Sequence, residues 1–216
     1  MARHKRRPVL SRPNYTMSVI AIVGMPGSGK TTVGRHLARR LGRQFVDSDH
    51  ELERELGCTV KQYFEVHGEA SFRDAESAVL ARLCVDADKG EKVSGIVLAT
   101  GGGAVLRPEN RACLRAQAWV VYLRSSPVEL AKRLRYDKTR PLLQGGHAGE
   151  RLQNLFEQRD HLYQEAAHFS VDTGRPSVHM LVNTIAMQHE MRDLATVTPA
   201  TQRSQSPHDS ACTTPP

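Results

Sequence analysis

The sequence predicts an α/β domain with a mainly parallel sheet, and three observations carry that prediction. Short β-branched runs alternate along the chain with apolar residues at helical spacing. The first such run ends at a glycine-rich loop from which an amphipathic helix starts. Acidic or glycine clusters then stand at the carboxyl ends of later runs, where open sheets of this kind bind ligands. A length of 216 residues suits one such domain with a substantial core.

The first strand is Val19-Ile20-Ala21-Ile22-Val23, and the helix after its loop places Val33, Leu37 and Leu41 four residues apart on one face. A second strand, Gln44-Phe45-Val46, closes on Asp47-Ser48-Asp49. Helical patterns follow over about 49–56, 60–66 and 70–86. The third strand, Ile96-Val97-Leu98-Ala99, runs into Gly101-Gly102-Gly103. A helix near 108–116 precedes the fourth strand, Trp119-Val120-Val121-Tyr122-Leu123, whose Trp119 reads as core packing. Further helices are expected at about 126–135, 150–166 and 177–190, with the last strand, Phe169-Ser170-Val171-Asp172, between the latter two.

The ends of the chain differ from this pattern. Residues 1–16 are basic and hold two prolines, and residues 193–216 are rich in Ser, Thr and Pro, so both are expected to be disordered tails around a domain over 17–192. The net charge of +7 invites a nucleic-acid reading. Arg3, Lys5, Arg6, Arg7 and Arg12 supply much of it from the first tail, however, and the modest excess left on the domain suits a cleft for small anions. No apolar run is long enough to span a bilayer or to serve as a secretory signal. The expected compartment is the cytoplasm, and the expected state a monomer. Cys58, Cys84, Cys113 and Cys212 are widely spaced and read as free thiols. None of the ten histidines has metal-ligand spacing.

Three motifs carry chemistry. Gly24-Met25-Pro26-Gly27-Ser28-Gly29-Lys30-Thr31 matches G-x-x-x-x-G-K-[ST] in full, between a strand and a helix. Its glycines let backbone N–H groups wrap a phosphate chain, and the helix adds its positive end. Lys30 should reach the outer phosphates, and the Thr31 hydroxyl should ligate Mg²⁺. Asp47 and Asp49 stand two apart at a strand end, so both can point toward that loop. Phosphoryl transfer to an alcohol needs a proton acceptor and support for the metal, and two carboxylates can divide those tasks. Asp49 could equally cap the next helix. The glycine triplet allows close approach of backbone to a ligand, although a plain tight turn would look the same.

Taken in order, GMPGSGKTTVGRHLA, FVDSD, GEASFRDAE, LATGGGAV, VVYL, RPLL and QRDHLY form a set that resembles the shikimate kinase family over about residues 18–190. The resemblance implies a three-layer P-loop NTPase fold, with a five-stranded parallel sheet in the order 2-3-1-4-5 and a mobile lid at about 136–149. It implies transfer of the γ-phosphoryl of ATP to the 3-hydroxyl of shikimate, with Mg²⁺. ATP would lie on Gly27, Ser28, Gly29, Lys30, Thr31 and Thr32, with Arg133 near adenine and Arg140 closing over the phosphates. Asp49 would hold the ring hydroxyls and take the reacting proton, and Asp47 would support Mg²⁺ through water. Arg73 and Arg159 would grip the substrate carboxylate, with Glu76 behind Arg73. Gly101, Gly102 and Gly103 would present their N–H groups, and Phe64 and Phe72 would wall the pocket. Planar guanidinium groups are well suited to gripping a carboxylate.

Other readings bring their own signatures. A gluconate-type kinase shares the loop and the following acid but not the triplet with Phe72-Arg73 and Arg159. A regulator that had lost the chemistry would lack Lys30, Asp49 or the arginines, and all of these are present. Nucleic-acid binding would rest on the first tail alone.

Overall fold

The computed structural model describes residues 18–86, 95–135 and 148–197. Five strands, β1 (Val19–Val23), β2 (Gln44–Asp47), β3 (Ile96–Ala99), β4 (Ala118–Arg124) and β5 (Phe169–Asp172), form one sheet in the order β2-β3-β1-β4-β5. Every pairing is parallel. Crossovers need room, and helices supply them: α1 (Lys30–Leu41), α2 (Ser48–Leu56), α3 (Val60–Asp86), α4 (Pro108–Gln117), α5 (Pro127–Leu134), α6 (Ala148–Ala166) and α7 (Val178–Val197).

Strand alternation divides the core between the two faces of the sheet. Ile20 and Ile22 of β1, Val97 of β3 and Trp119, Val121 and Leu123 of β4 pack with Val33 and Leu37 of α1 and Leu181, Val182 and Ile185 of α7. Val19, Ala21 and Val23, with Leu98, Val120 and Tyr122, face Leu52, Phe72, Leu80, Leu114, Leu152 and Tyr163 on the opposite side. Trp119 is a core residue as expected, stacked 6.1 Å from Phe169. Because both faces are covered, the central strands read as continuous apolar runs.

Several boundaries differ from the sequence pattern for local reasons. The two helices expected over 60–66 and 70–86 appear as one element, α3, bent at Gly68 with φ +77°. That backbone conformation is open to glycine and strained for other residues. The last helix runs to Val197, beyond the expected domain edge at 192, because Leu181, Val182, Ile185, Ala186 and His189 keep a buried face through most of its length. A short 3₁₀ turn, Ala104–Leu106, follows the glycine triplet and had no sequence signal. Most of both expected tails and most of the expected lid lie outside the described residues.

The chain order reverses at β1, which lies between β3 and β4. The carboxyl end of β1 is thus the switch point at which sheets of this type open a ligand crevice. The phosphate loop leaves that end, with Asp47 at the end of β2 and the triplet beyond β3.

Candidate active site

The loop Gly24–Gly29 ends on α1, whose first residue is Lys30. Gly29 is left-handed, φ +92°, which turns the chain into the helix without a side-chain clash. Lys30 Nζ donates to the carbonyls of Gly24 at 2.8 Å and Met25 at 3.0 Å, so the ammonium is held across the mouth of its own loop. The Ser28 hydroxyl is buried and has no hydrogen-bond partner among the described residues. A buried hydroxyl without a partner, in a glycine-rich loop that ends at a helix N-terminus, suits an anionic ligand oxygen.

Thr31 Oγ1 donates to Asp47 Oδ2 at 3.0 Å. Asp47 also caps α2, accepting from Asp49 N at 3.2 Å. The capping role considered for Asp49 therefore falls to Asp47, and the Asp49 carboxylate is left for the cleft. Solvent reaches Asp49 through the cleft mouth, yet protein surrounds it on most sides. That burial, helped by the charges of Asp47 and Glu76 and opposed by Lys30, pushes its carboxyl up from its ordinary 3.8 to about 6. A carboxylate poised there can accept a proton near neutral pH.

The glycine triplet is where the two halves of the site meet. A Cβ on Gly101 would stand 2.5 Å from Asp49 Oδ1 and 2.9 Å from Glu76 Oε1. One on Gly102 would press on Pro26 of the phosphate loop at 3.0 Å, and one on Gly103 would meet the Arg73 guanidinium carbon at 2.8 Å. Each glycine thus gives space to a different partner, which a plain turn would not require. The Gly101 N–H is already used, donating to Ser48 Oγ at 2.9 Å. The sequence reading had that N–H free for a substrate oxygen, but Ser48 is buried directly beneath it.

Arg73, on α3, lies over the Phe72 ring at 5.1 Å and donates to Glu76 Oε2 at 2.8 Å and to Glu69 Oε1 at 3.2 Å. Glu76 is only 3% exposed, so this pair is a buried link and not a surface one. Phe72 belongs to the core, with the half-buried Phe64 ring 4.9 Å from it. Arg159, on α6, donates to the Gly102 carbonyl at 3.3 Å. Its Nε is buried without a hydrogen-bond partner among the described residues. Arg73 and Arg159 come from different helices and converge on the two sides of the triplet.

Arg133 is bound through Nη1 to Thr173 Oγ1 at 3.1 Å and through Nη2 to the Thr173 carbonyl, tying α5 to the turn after β5. Its neighbour Leu134 packs where a Cβ of Gly27 would stand, at 2.6 Å. Thr32 lies in the first turn of α1. Arg140 lies outside the described residues.

Two site residues escaped the sequence reading. Ser48 stands between the two aspartates and holds Gly101. Tyr163, four residues after Arg159 on the same helix face, donates to the Gly102 carbonyl at 2.6 Å. The i, i+4 spacing was the available signal for Tyr163, whereas Ser48 had none.

The assembly combines an anion-binding loop, a hydroxyl–carboxylate pair for a hard cation, a carboxylate with a raised pKa, and two arginines. These parts suit phosphoryl transfer to a hydroxyl of a small acid. The family model described as shikimate kinase matches residues 26–190. A shikimate kinase of Burkholderia pseudomallei (strain 1710b) is 52% identical over 172 residues, covering 80% of this chain and 90% of that relative. One of Paracidovorax citrulli is 49% identical over 181 residues, covering 83% and 96%. Among solved structures, the shikimate kinase of Acinetobacter baumannii in complex with shikimate is 41% identical, with a TM-score of 0.74 and coverage of 83% and 96%.

Proposed function

The chain belongs to the shikimate kinase family, and from that premise we propose that it transfers the γ-phosphoryl of ATP to the 3-hydroxyl of shikimate. The observation that carries the reading is the triplet itself. Its three missing side chains make room for Asp49 with Glu76, for the phosphate loop, and for Arg73, bringing acceptor and donor groups to one place.

On this reading each residue has a role. The loop from Gly27 to Thr32 binds the ATP phosphates, with Ser28 Oγ and Lys30 among the donors. The family resemblance assigns Arg133 to the adenine side and Arg140, which lies outside the described residues, to the phosphates. Arg73 and Arg159 take the acceptor carboxylate from two sides, with Glu76 fixing Arg73. Gly102 and Gly103 pass close to the acceptor, while Gly101 leaves room for Asp49. Asp49 accepts the proton of the attacking hydroxyl, and its raised pKa keeps that transfer reversible near neutral pH.

The donor set fits Mg²⁺. Thr31 and Asp47 offer one hydroxyl and one carboxylate, hard oxygens 3.0 Å apart, and Mg²⁺ is commonly held by few protein ligands together with substrate phosphates and water. Thr31 would bind it directly and Asp47 through water. Such an ion would supply charge neutralisation for the phosphates when bound. The proposal includes a monomer working in the cytoplasm, where free thiols such as Cys58, Cys84 and Cys113 persist.

The test is ADP release from Mg-ATP with shikimate, quinate, gluconate or no acceptor. Shikimate-dependent turnover is expected. Turnover with another acceptor alone would overturn the substrate, and ATP binding with no acceptor-dependent turnover would overturn the reaction.

A further inference from the structure

Behind the glycine triplet lies a buried hydroxyl that these roles leave unused. The Tyr163 ring is fully buried and stacks 5.0 Å from Tyr122. Tyr122 in turn donates to Asp160 Oδ1 at 2.7 Å, and Arg124 holds the same carboxylate at 3.0 and 2.9 Å. The Tyr122 ring therefore backs the Tyr163 ring. Burial, opposed by the Arg159 charge and by a hydrogen bond from its guanidinium, pushes the Tyr163 phenol up to about 12, so the hydroxyl keeps its proton and acts as a donor at neutral pH.

That donor reaches the Gly102 carbonyl at 2.6 Å, and Arg159 Nη1 reaches the same oxygen at 3.3 Å. A carbonyl offers two lone pairs. Here the short bond comes from the tyrosine and the long one from the guanidinium. Without the hydroxyl, the half-buried carbonyl would have Arg159 as its remaining side-chain donor and would draw the guanidinium onto the loop. Pro26 of the phosphate loop lies beside Gly102, 3.0 Å from where a Cβ would stand, so a shift of this backbone also bears on that loop. With the hydroxyl in place, Arg159 keeps its buried Nε free of protein partners among the described residues.

We infer that Tyr163 is a positioning residue for the acceptor: by holding the Gly102 carbonyl it sets the backbone of the triplet and the direction in which Arg159 meets the acceptor carboxylate. The inference rests on the reading that Arg159 binds that carboxylate. Tyr163 itself touches no reacting atom. Its contribution belongs in acceptor binding and not in the chemical step.

The experiment compares wild type, Tyr163→Phe and Tyr122→Phe in steady-state kinetics with shikimate and with ATP, alongside thermal melting. Tyr122→Phe removes a buried hydroxyl from the same stack without touching Gly102. Tyr163→Phe is expected to raise the shikimate KM roughly ten-fold, with kcat and the ATP KM changed less than about two-fold. Tyr122→Phe is expected to lower the melting temperature and leave the shikimate KM alone. An unchanged shikimate KM in Tyr163→Phe overturns the inference, as does an equal rise in both variants. Should Tyr163→Phe fail to fold, 3-fluorotyrosine at position 163 keeps the ring and strengthens the donor. A shifted shikimate KM at constant kcat supports the inference, and an unshifted one overturns it. Wild-type enzyme without shikimate turnover would instead overturn the reaction itself and this inference with it, so the two failures are told apart by the wild-type control.

Discussion

The guanidinium carbon of Arg73 lies 2.8 Å from the point where a Cβ on Gly103 would stand. The absence of that one methyl lets α3 bring a cation onto the end of β3, with Glu76 and Glu69 holding it there. Gly103→Ala should displace Arg73 and raise the shikimate KM by roughly ten-fold while sparing the ATP KM. Initial-rate kinetics with each substrate varied will check this. An unchanged shikimate KM would mean that the guanidinium swings aside without loss.

Asp49 has a folded-state pKa of about 6 against an ordinary 3.8. If it is the proton acceptor, kcat/KM should fall as pH drops through about 6, and Asp49→Asn should abolish turnover while leaving ATP binding intact. Near-normal turnover of that variant would remove Asp49 from the role. A stability effect of definite sign accompanies this one. The folded protein holds the Asp49 proton between its unfolded and folded pKa values, so the favourable contribution is complete below about pH 4 and lost as pH rises through about 6. Ionised Asp49 then opposes folding. Two pKa units correspond to about 3 kcal/mol, and water at the cleft mouth reduces this to about 1 kcal/mol. Asp49→Asn should therefore stabilise the protein by about 1 kcal/mol at pH 8 and hardly at all at pH 4, as read from urea melts.

Glu76 raises the Asp49 pKa and is the buried partner of Arg73. Glu76→Gln should shift the acid limb of the kcat/KM profile to lower pH, because a negative neighbour is gone. It should also destabilise the fold by about 2 kcal/mol, since Arg73 keeps only the more exposed Glu69 as an ionic partner among the described residues. A pH profile that does not move would show that the Glu76 charge is screened from Asp49.

Asp47 has two duties that substitution can separate. Asp47→Ala removes the cap of α2, at about 1 kcal/mol, and the partner of Thr31. Asp47→Asn keeps a capping oxygen and loses the charge. Both variants should need more Mg²⁺ for half-maximal rate, but only the alanine should melt appreciably earlier. A normal Mg²⁺ requirement in Asp47→Asn would confine Asp47 to capping.

Much of the fold was legible because both of its periodicities are local. β-branched runs at Val19–Val23 and Ile96–Ala99 and the helical spacing of Val33, Leu37 and Leu41 placed the strands and the first helix, whereas the last helix, expected over about 177–190, runs to Val197. Less legible were features set by contacts distant in sequence. Ser48 carries no motif of its own and matters because Gly101 arrives above it from 53 residues away. The capping role went to Asp47 and not Asp49 because the chain enters α2 one residue earlier than the pattern suggested.

The sequence by itself determined the phosphate loop, the strand–helix alternation and the family, since short strings of fixed spacing specify backbone geometry and chemistry locally. The tertiary structure alone decided which groups share the cleft and which face each other. Arg73, the triplet and Arg159 come from three separate segments, and only packing of α3 and α6 against one side of the sheet brings Arg73 to Gly103 and Arg159 to the Gly102 carbonyl. The pKa of Asp49 was likewise decided there, because it follows from burial and from the charges of Asp47 and Glu76, which spacing along the chain does not encode.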